Sequence, residues 1–293
     1  MDKFGGGSGT AYSLTSNGEH LLLVFTNRTF SIWEFPAIRE GARHPLPVNK
    51  AAAGALANGG RVAAFIGEDG NVVFWHRETQ MTNWLALPDT NRSSRPAFSS
   101  DGRKLALAGW QHVTVVDVSS GTNLLSISAS RPRELSHGAA FSLRFSPDSN
   151  KIIVGFGSGD VKLWDLAGGG GRIDLKGHTF QVNGSAFLDA QTVITSGEDV
   201  RFWDLSTPTP SAILQPRPAF FMGTALSGDG RRLAVGGSDG VITLWDTASR
   251  QEVLTLSGHT RPVQALAFLP DGNSLVSVGM DQIRVWRAFP LAQ

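Results

Sequence analysis

Leu266-Ala-Phe-Leu-Pro-Asp-Gly272, followed by Arg284-Val-Trp286, is the stretch on which the reading of this chain turns. The first piece is a short apolar run closed by a turn containing Asp and Gly. The second is a strand-like tripeptide ending in Trp. Both recur. The tripeptide returns as Ser31-Ile-Trp33, Val73-Phe-Trp75, Lys162-Leu-Trp164-Asp165, Arg201-Phe-Trp203-Asp204 and Thr243-Leu-Trp245-Asp246, and once without its Trp as Thr114-Val-Val116-Asp117. These anchors fall at 33, 75, 116, 164, 203, 245 and 286, with gaps of 42, 41, 48, 39, 42 and 41 residues. The upstream piece returns as Leu143-Arg-Phe-Ser-Pro-Asp148 and Pro96-Ala-Phe-Ser-Ser-Asp-Gly102, and more loosely as Ala225-Leu-Ser-Gly-Asp-Gly230 and Leu14-Thr-Ser-Asn-Gly18.

Two combs in step describe one unit repeated seven times. Within each unit the apolar runs are strand-sized and bounded by turn residues, as in Leu105-Ala-Leu-Ala-Gly109 and Lys151-Ile-Ile-Val-Gly155. A further short run follows most anchors, as in Trp84-Leu-Ala-Leu87 and Val253-Leu-Thr-Leu256. A sustained helical period is missing throughout. About four short strands per repeat, seven times over, predicts an all-β fold: a seven-bladed β-propeller of four-stranded antiparallel blades. The array is expected to form one domain over residues 1–293.

Composition bounds the function. Hydrophobic residues are 41% of the 293 and charged residues 17%, enough to bury a large core and too few charges for a disordered chain. The 34 glycines serve many tight turns. A net charge of +1 argues against nucleic-acid or anionic-membrane binding driven by bulk charge. No cysteine is present, which excludes disulfides, thiolate metal sites and a cysteine nucleophile. Apolar runs stay far below the 18 or so residues of a spanning helix, and the N-terminus lacks the apolar stretch of a signal peptide. The expected compartment is the cytoplasm.

Gly177-His178 stands 25 residues before Trp203, and Gly258-His259 stands 27 before Trp286. With the Trp-Asp anchors, this resembles the WD-repeat family over about residues 9–287. In that family a hydrogen-bonded tetrad joins the His, a Ser or Thr of the second strand, an Asp of the next turn and the anchor Trp. The resemblance implies His259, Ser277, Asp281 and Trp286 in the seventh repeat, and His178, Thr195, Asp199 and Trp203 in the fifth, whose turn is shorter by two residues than that of the sixth. The sixth repeat has Val235 at the hydroxyl position, and the second has Phe65. These His and Asp residues are read as structural.

The resemblance also places partner-facing residues on the narrower face. They are Phe141 in the fourth repeat; Gln181, Asn183 and Glu198 in the fifth; Phe220 and Met222 in the sixth; and Gln264 and Met280 in the seventh. A poorer alignment adds Lys50, Glu68 and Arg92. Phe141, Phe220, Met222 and Met280 are expected to form an apolar patch around one mouth of the channel. The family usually completes its last blade with an outer strand from the other chain end. Residues 1–8 include a run of three glycines, and a proline interrupts the seven residues after Trp286. Neither end reads as a good strand, so either the last blade is incomplete or the chain is part of a longer polypeptide.

Catalytic motifs are sparse. Gly236-Gly-Ser238-Asp-Gly240 matches GxSxG, but it lies in a turn between two strands, whereas a nucleophile elbow joins a strand to a helix. The histidines show no metal-ligand spacing, and no cofactor or metal is expected. Pro36 to Lys50 reads as loop, Trp84 and Trp110 as blade filling, and Arg131-Pro-Arg133 as a solvated basic pair. The function expected is a non-catalytic scaffold binding a protein or peptide on the narrow face, with no nucleic acid and no membrane. The alternatives are a sensory or regulatory module of a larger signalling protein, and an enzyme with a site in the channel.

Overall fold

The computed structural model describes residues 2–4, 9–15, 17–49, 51–57, 59–85, 95–108, 112–128, 139–167, 171–207, 209–214 and 219–287. They form seven antiparallel sheets, and no helix occurs among them. Each sheet is one blade. Its strands run outward in chain order, save for the outermost strand of blade seven, from an inner strand: Gly9–Leu14, Ala51–Leu56, Arg95–Phe98, Ala140–Phe145, Gly184–Phe187, Phe221–Leu226 and Val263–Phe268 in blades one to seven. The anchor tripeptides lie in the third strands, as in Val200–Asp204 and Ile283–Arg287. No helix among the described residues is long and apolar enough to cross a membrane.

A propeller blade buries both faces of its sheet, so strand sequences read as continuous apolar runs rather than alternating ones. The second strands show it: His20–Phe25 and Lys151–Phe156 each have four or more consecutive buried residues. One apolar cluster sits between each neighbouring pair of blades. Between blades one and two, Phe30 packs on Phe65 and Trp75, with ring centroids 4.7 and 4.9 Å apart.

Turns are built locally. In blade six the Ser227 hydroxyl donates to Asp229 Oδ1 at 2.6 Å, and that oxygen accepts the Arg231 N–H. The recurring Ser-x-Asp of the upstream comb is thus a turn device.

Three expectations are corrected. The last blade is complete, because Asp2–Phe4 forms its outer strand and pairs antiparallel with Ile283–Arg287, Lys3 opposite Arg284. Three residues suffice because the join between blades seven and one also carries its own core, with Leu21, Leu23 and Phe25 against Val276, Val278 and Val285. The segment from Pro36 to Lys50 holds two short strands, Arg39–Glu40 and His44–Pro45, which share the outer edge of blade one. Trp84 does not fill a blade: it lies on the outer strand Thr82–Leu85 and is 63% exposed. Trp110 and Arg131 to Arg133 lie outside the described residues.

Candidate functional site

The turns between second and third strands, with the segments leading into the inner strands, make one face of the ring, here called the upper face. Both Gly-His pairs lie there. In blades four and six the turn glycines Gly159 and Gly240 have φ of +88° and +80° and sit against the backbone of the next blade's histidine. A side chain at Gly240 would meet the His259 carbonyl at 2.6 Å, so glycine is needed for both its backbone geometry and the close approach.

In blade seven, Trp286 Nε1 donates to Ser277 Oγ at 2.8 Å, and His259 Nε2 lies 2.7 Å from the same oxygen. The single hydroxyl proton then goes to His259 Nε2, which makes Nδ1 the protonated nitrogen. Nδ1 donates to Asp281 Oδ1 at 2.6 Å, and Asp281 Oδ2 accepts the Thr260 N–H at 2.8 Å. The chain of bonds ties the upper turn to the core of the blade.

Blade five repeats the hub but not its outer end. Thr195 Oγ1 accepts from Trp203 Nε1 at 2.8 Å and lies 2.7 Å from His178 Nε2. Beyond the histidine, Glu198 stands where Asp281 stands in blade seven. Its Oε2 is 3.1 Å from His178 Nδ1, and its Oε1 accepts the Thr179 N–H at 2.7 Å. Asp199, expected as the tetrad carboxylate, is 3.2 Å from Nδ1 but is held by Arg201 through two bonds of 2.8 and 2.9 Å. The shorter turn moves the carboxylate position, and the longer Glu side chain spans the difference. Glu198, assigned to the partner face, is therefore engaged inside the blade. His178, Glu198 and Asp199 bring three ligand-type atoms within 4.8 Å of one another. Arg201 donates to both carboxylates, so a guanidinium already supplies the positive charge that a metal would bring. In blade six, Val235 is fully buried at the hydroxyl position, and the buried Trp245 Nε1 has no partner among the described residues.

Burial is the largest influence on both histidines and lowers their pKa below 6.5, against the raising effect of the nearby carboxylates. Burial works to raise Asp281, but the Thr260 N–H and His259 outweigh it and hold the carboxyl well below its usual range. A histidine with a lowered folded pKa binds its proton more readily unfolded. Its contribution is complete above 6.5 and is lost as the pH falls toward the folded value. Stability should accordingly drop as the pH falls below about 6.5, by at most about 1.4 kcal/mol per imidazole for each pH unit. Urea unfolding across that range measures it, and a flat profile contradicts it.

The upper-face candidates divide by exposure. Phe220 is 48% and Met280 57% exposed, while Phe141 and Met222 are partly buried. Gln181, Asn183 and Gln264 are also partly buried, with Gln181 donating to Asn183 and Asn183 donating to the Phe221 carbonyl at 3.2 Å. Glu68 is exposed; Lys50 and Arg92 lie outside the described residues. Ser238, the centre of the GxSxG match, joins two strands and receives the Phe220 loop: its N–H donates to the Phe220 carbonyl at 2.8 Å. Sequence reading missed Phe180. It is 56% exposed and packs edge-on against Phe220, centroids 5.8 Å apart at 81°. Its position two residues after His178 is the signal available in the sequence.

The inner strands surround a central cavity of about 460 Å³. It reaches the opposite, lower face, where Asn17, Ser100, Pro147 and Gly228 of the turns between first and second strands border it. Among the described lining residues Arg144 is the only charged side chain, and no carboxylate or imidazole is present.

The profile of the family described as WD domain, G-beta repeat, matches residues 129–165, 222–246 and 250–287. The WD repeat-containing protein slp1 of Schizosaccharomyces pombe is 30% identical over 207 residues, which are 64% of this chain and 41% of that protein. The anaphase-promoting complex subunit cdc20 of Dictyostelium discoideum is 32% identical over 149 residues, 47% of this chain and 29% of the relative. Protein groucho of Drosophila melanogaster is 29% identical over 164 residues, 52% of this chain and 22% of the relative. The matched stretches thus span less than half the length of these relatives.

Proposed function

This chain belongs to the WD-repeat family, and from that premise we propose that it is a non-catalytic scaffold that binds a protein or peptide on its upper face. The observation that carries this reading is the exposed, mutually packed pair Phe180 and Phe220. Aromatic side chains and Met are enriched in interface cores, and adjacent exposed aromatics on a rigid framework are a common form of partner site. Met280, one blade further on the same face, extends the apolar character. The loop that bears Phe220 is anchored on both sides, since the Phe221 N–H donates to the Gly197 carbonyl at 2.8 Å and Ser238 holds Phe220 itself. A preorganised loop loses little entropy on binding. Membership of an assembly, as for the relative that is an anaphase-promoting complex subunit, is in keeping with this role. The near-neutral charge supports a protein or peptide partner over a nucleic acid, and a cytoplasmic location is part of the same proposal.

The test is affinity capture with the intact chain and with a Phe180→Ala/Phe220→Ala variant. A specific partner recovered by the wild type should be lost about tenfold by the variant, which corresponds to about 1.4 kcal/mol of binding. Both residues are exposed, so the melting temperature should hardly change. Equal recovery by the two proteins, or no partner for either, overturns the reading.

A further inference from the structure

The central channel contains a departure from the repeat. One position, the penultimate residue of each inner strand, has the same register in every blade. It is Ser13, Ala55, Ala97, Ala186, Ala225 or Ala267 in six of them, paired with Leu22, Ala64, Ala106, Ile194, Ala234 and Val276. In blade four it is Arg144, paired with Ile153. Small residues suit a place where seven inner strands converge. A long cation there needs a different reason.

Arg144 lines the cavity, whose described wall is otherwise apolar groups and neutral polar ones such as Ser13, Thr15 and Asn17. Burial alone lowers the Arg144 pKa, and no charged neighbour among the described residues contributes. Even so lowered, a guanidinium remains protonated at neutral pH. Arg144 is only partly exposed, and a partly desolvated charge without a counter-charge is unfavourable; a bound anion relieves that cost. We propose that Arg144 makes the central channel a binding site for a small anionic molecule carrying a phosphate or carboxylate group, entering from the lower face. The guanidinium fork matches either group through two parallel N–H···O bonds. A cavity of about 460 Å³ has the size of a small-molecule pocket, and its wall mixes apolar side chains with polar groups that can orient a ligand. This site is at the opposite end of the ring from Phe180 and Phe220 and does not depend on the scaffold role.

Calorimetric titration of the full chain with inorganic phosphate and, separately, with citrate tests it, at ionic strength held constant with chloride. The wild type should show saturable binding of at least one probe. Arg144→Ala should weaken that binding by about tenfold or more, with Arg144→Lys intermediate. Because alanine stands at this position in five other blades, Arg144→Ala should fold, and in chloride alone it should melt above the wild type. The bound probe should raise the melting temperature of the wild type and not of the variant. Three results overturn the proposal: no saturable binding of either probe, equal binding by wild type and Arg144→Ala, or a lower melting temperature for Arg144→Ala in chloride. Arg144-dependent binding of a poly-glutamate peptide without binding of the free anions would also overturn it, in favour of an acidic peptide.

Discussion

Phe65→Ala lowers the unfolding free energy by about 3–5 kcal/mol, the usual range for truncating a buried phenylalanine. Phe65 occupies the position that is Thr195 in blade five and Ser277 in blade seven, and it is completely buried. Its ring packs on Phe30, which in turn meets Trp75 edge-on at 81°. Blade two therefore has no hydroxyl hub, and the join between blades one and two rests on an aromatic cluster instead. Truncation removes the transfer free energy of the ring and leaves a cavity that packed strands cannot close. At about 2–4 °C per kcal/mol for a chain of this size, the melting temperature falls by on the order of 10 °C. Thermal unfolding followed by tryptophan fluorescence measures it. A fall below about 1 kcal/mol would mean that neighbouring side chains refill the space.

Asp281→Ala costs about 1–3 kcal/mol by a different mechanism. Nothing large is removed. The carboxylate accepts from His259 Nδ1, the Thr260 N–H and the Gln282 N–H, and the substitution strands these donors at the upper end of blade seven. His259 is buried, so water replaces the lost acceptor poorly. The effect should propagate along the chain of bonds, because Ser277 Oγ serves both His259 and Trp286. A partly satisfied buried network loses more than the one bond removed. Unchanged thermal unfolding of Asp281→Ala would falsify the view that the tetrad stabilises the blade.

Much of the fold is legible in the chain because the propeller is a repeat. Seven anchors near a spacing of 42 residues mark the third strands, and the Asp-Gly turns mark the ends of the first. The hub residues of blades five and seven were legible for the same reason: His, Thr or Ser, and Trp occur at repeated offsets. The departures are local. Asp199 has the right chemistry at nearly the right place, yet Arg201 holds it and Glu198 takes the outer role, because a turn one residue shorter than that of blade seven changes which carboxylate reaches the imidazole. Among the upper-face residues, exposure is set by neighbours in space. Met222 is partly covered while Phe220 beside it is open, and Phe180 joins Phe220 from a different blade.

The sequence by itself determined the strand count per unit, the number of units and the places where turns occur, because these follow from apolar run length and turn chemistry within some 40 residues. The tertiary structure alone decided three things. It assigned Asp2–Phe4, the least strand-like segment of the chain, to the outer edge of the last blade, since ring closure brings an open ladder there from the far end of the sequence. It gathered Phe30, Phe65 and Trp75 into one aromatic cluster between blades one and two. It set Arg144 in a channel wall where the other blades carry alanine or serine. Each depends on contacts between residues far apart along the chain, and a repeat pattern specifies the unit without specifying what its neighbours bring to it.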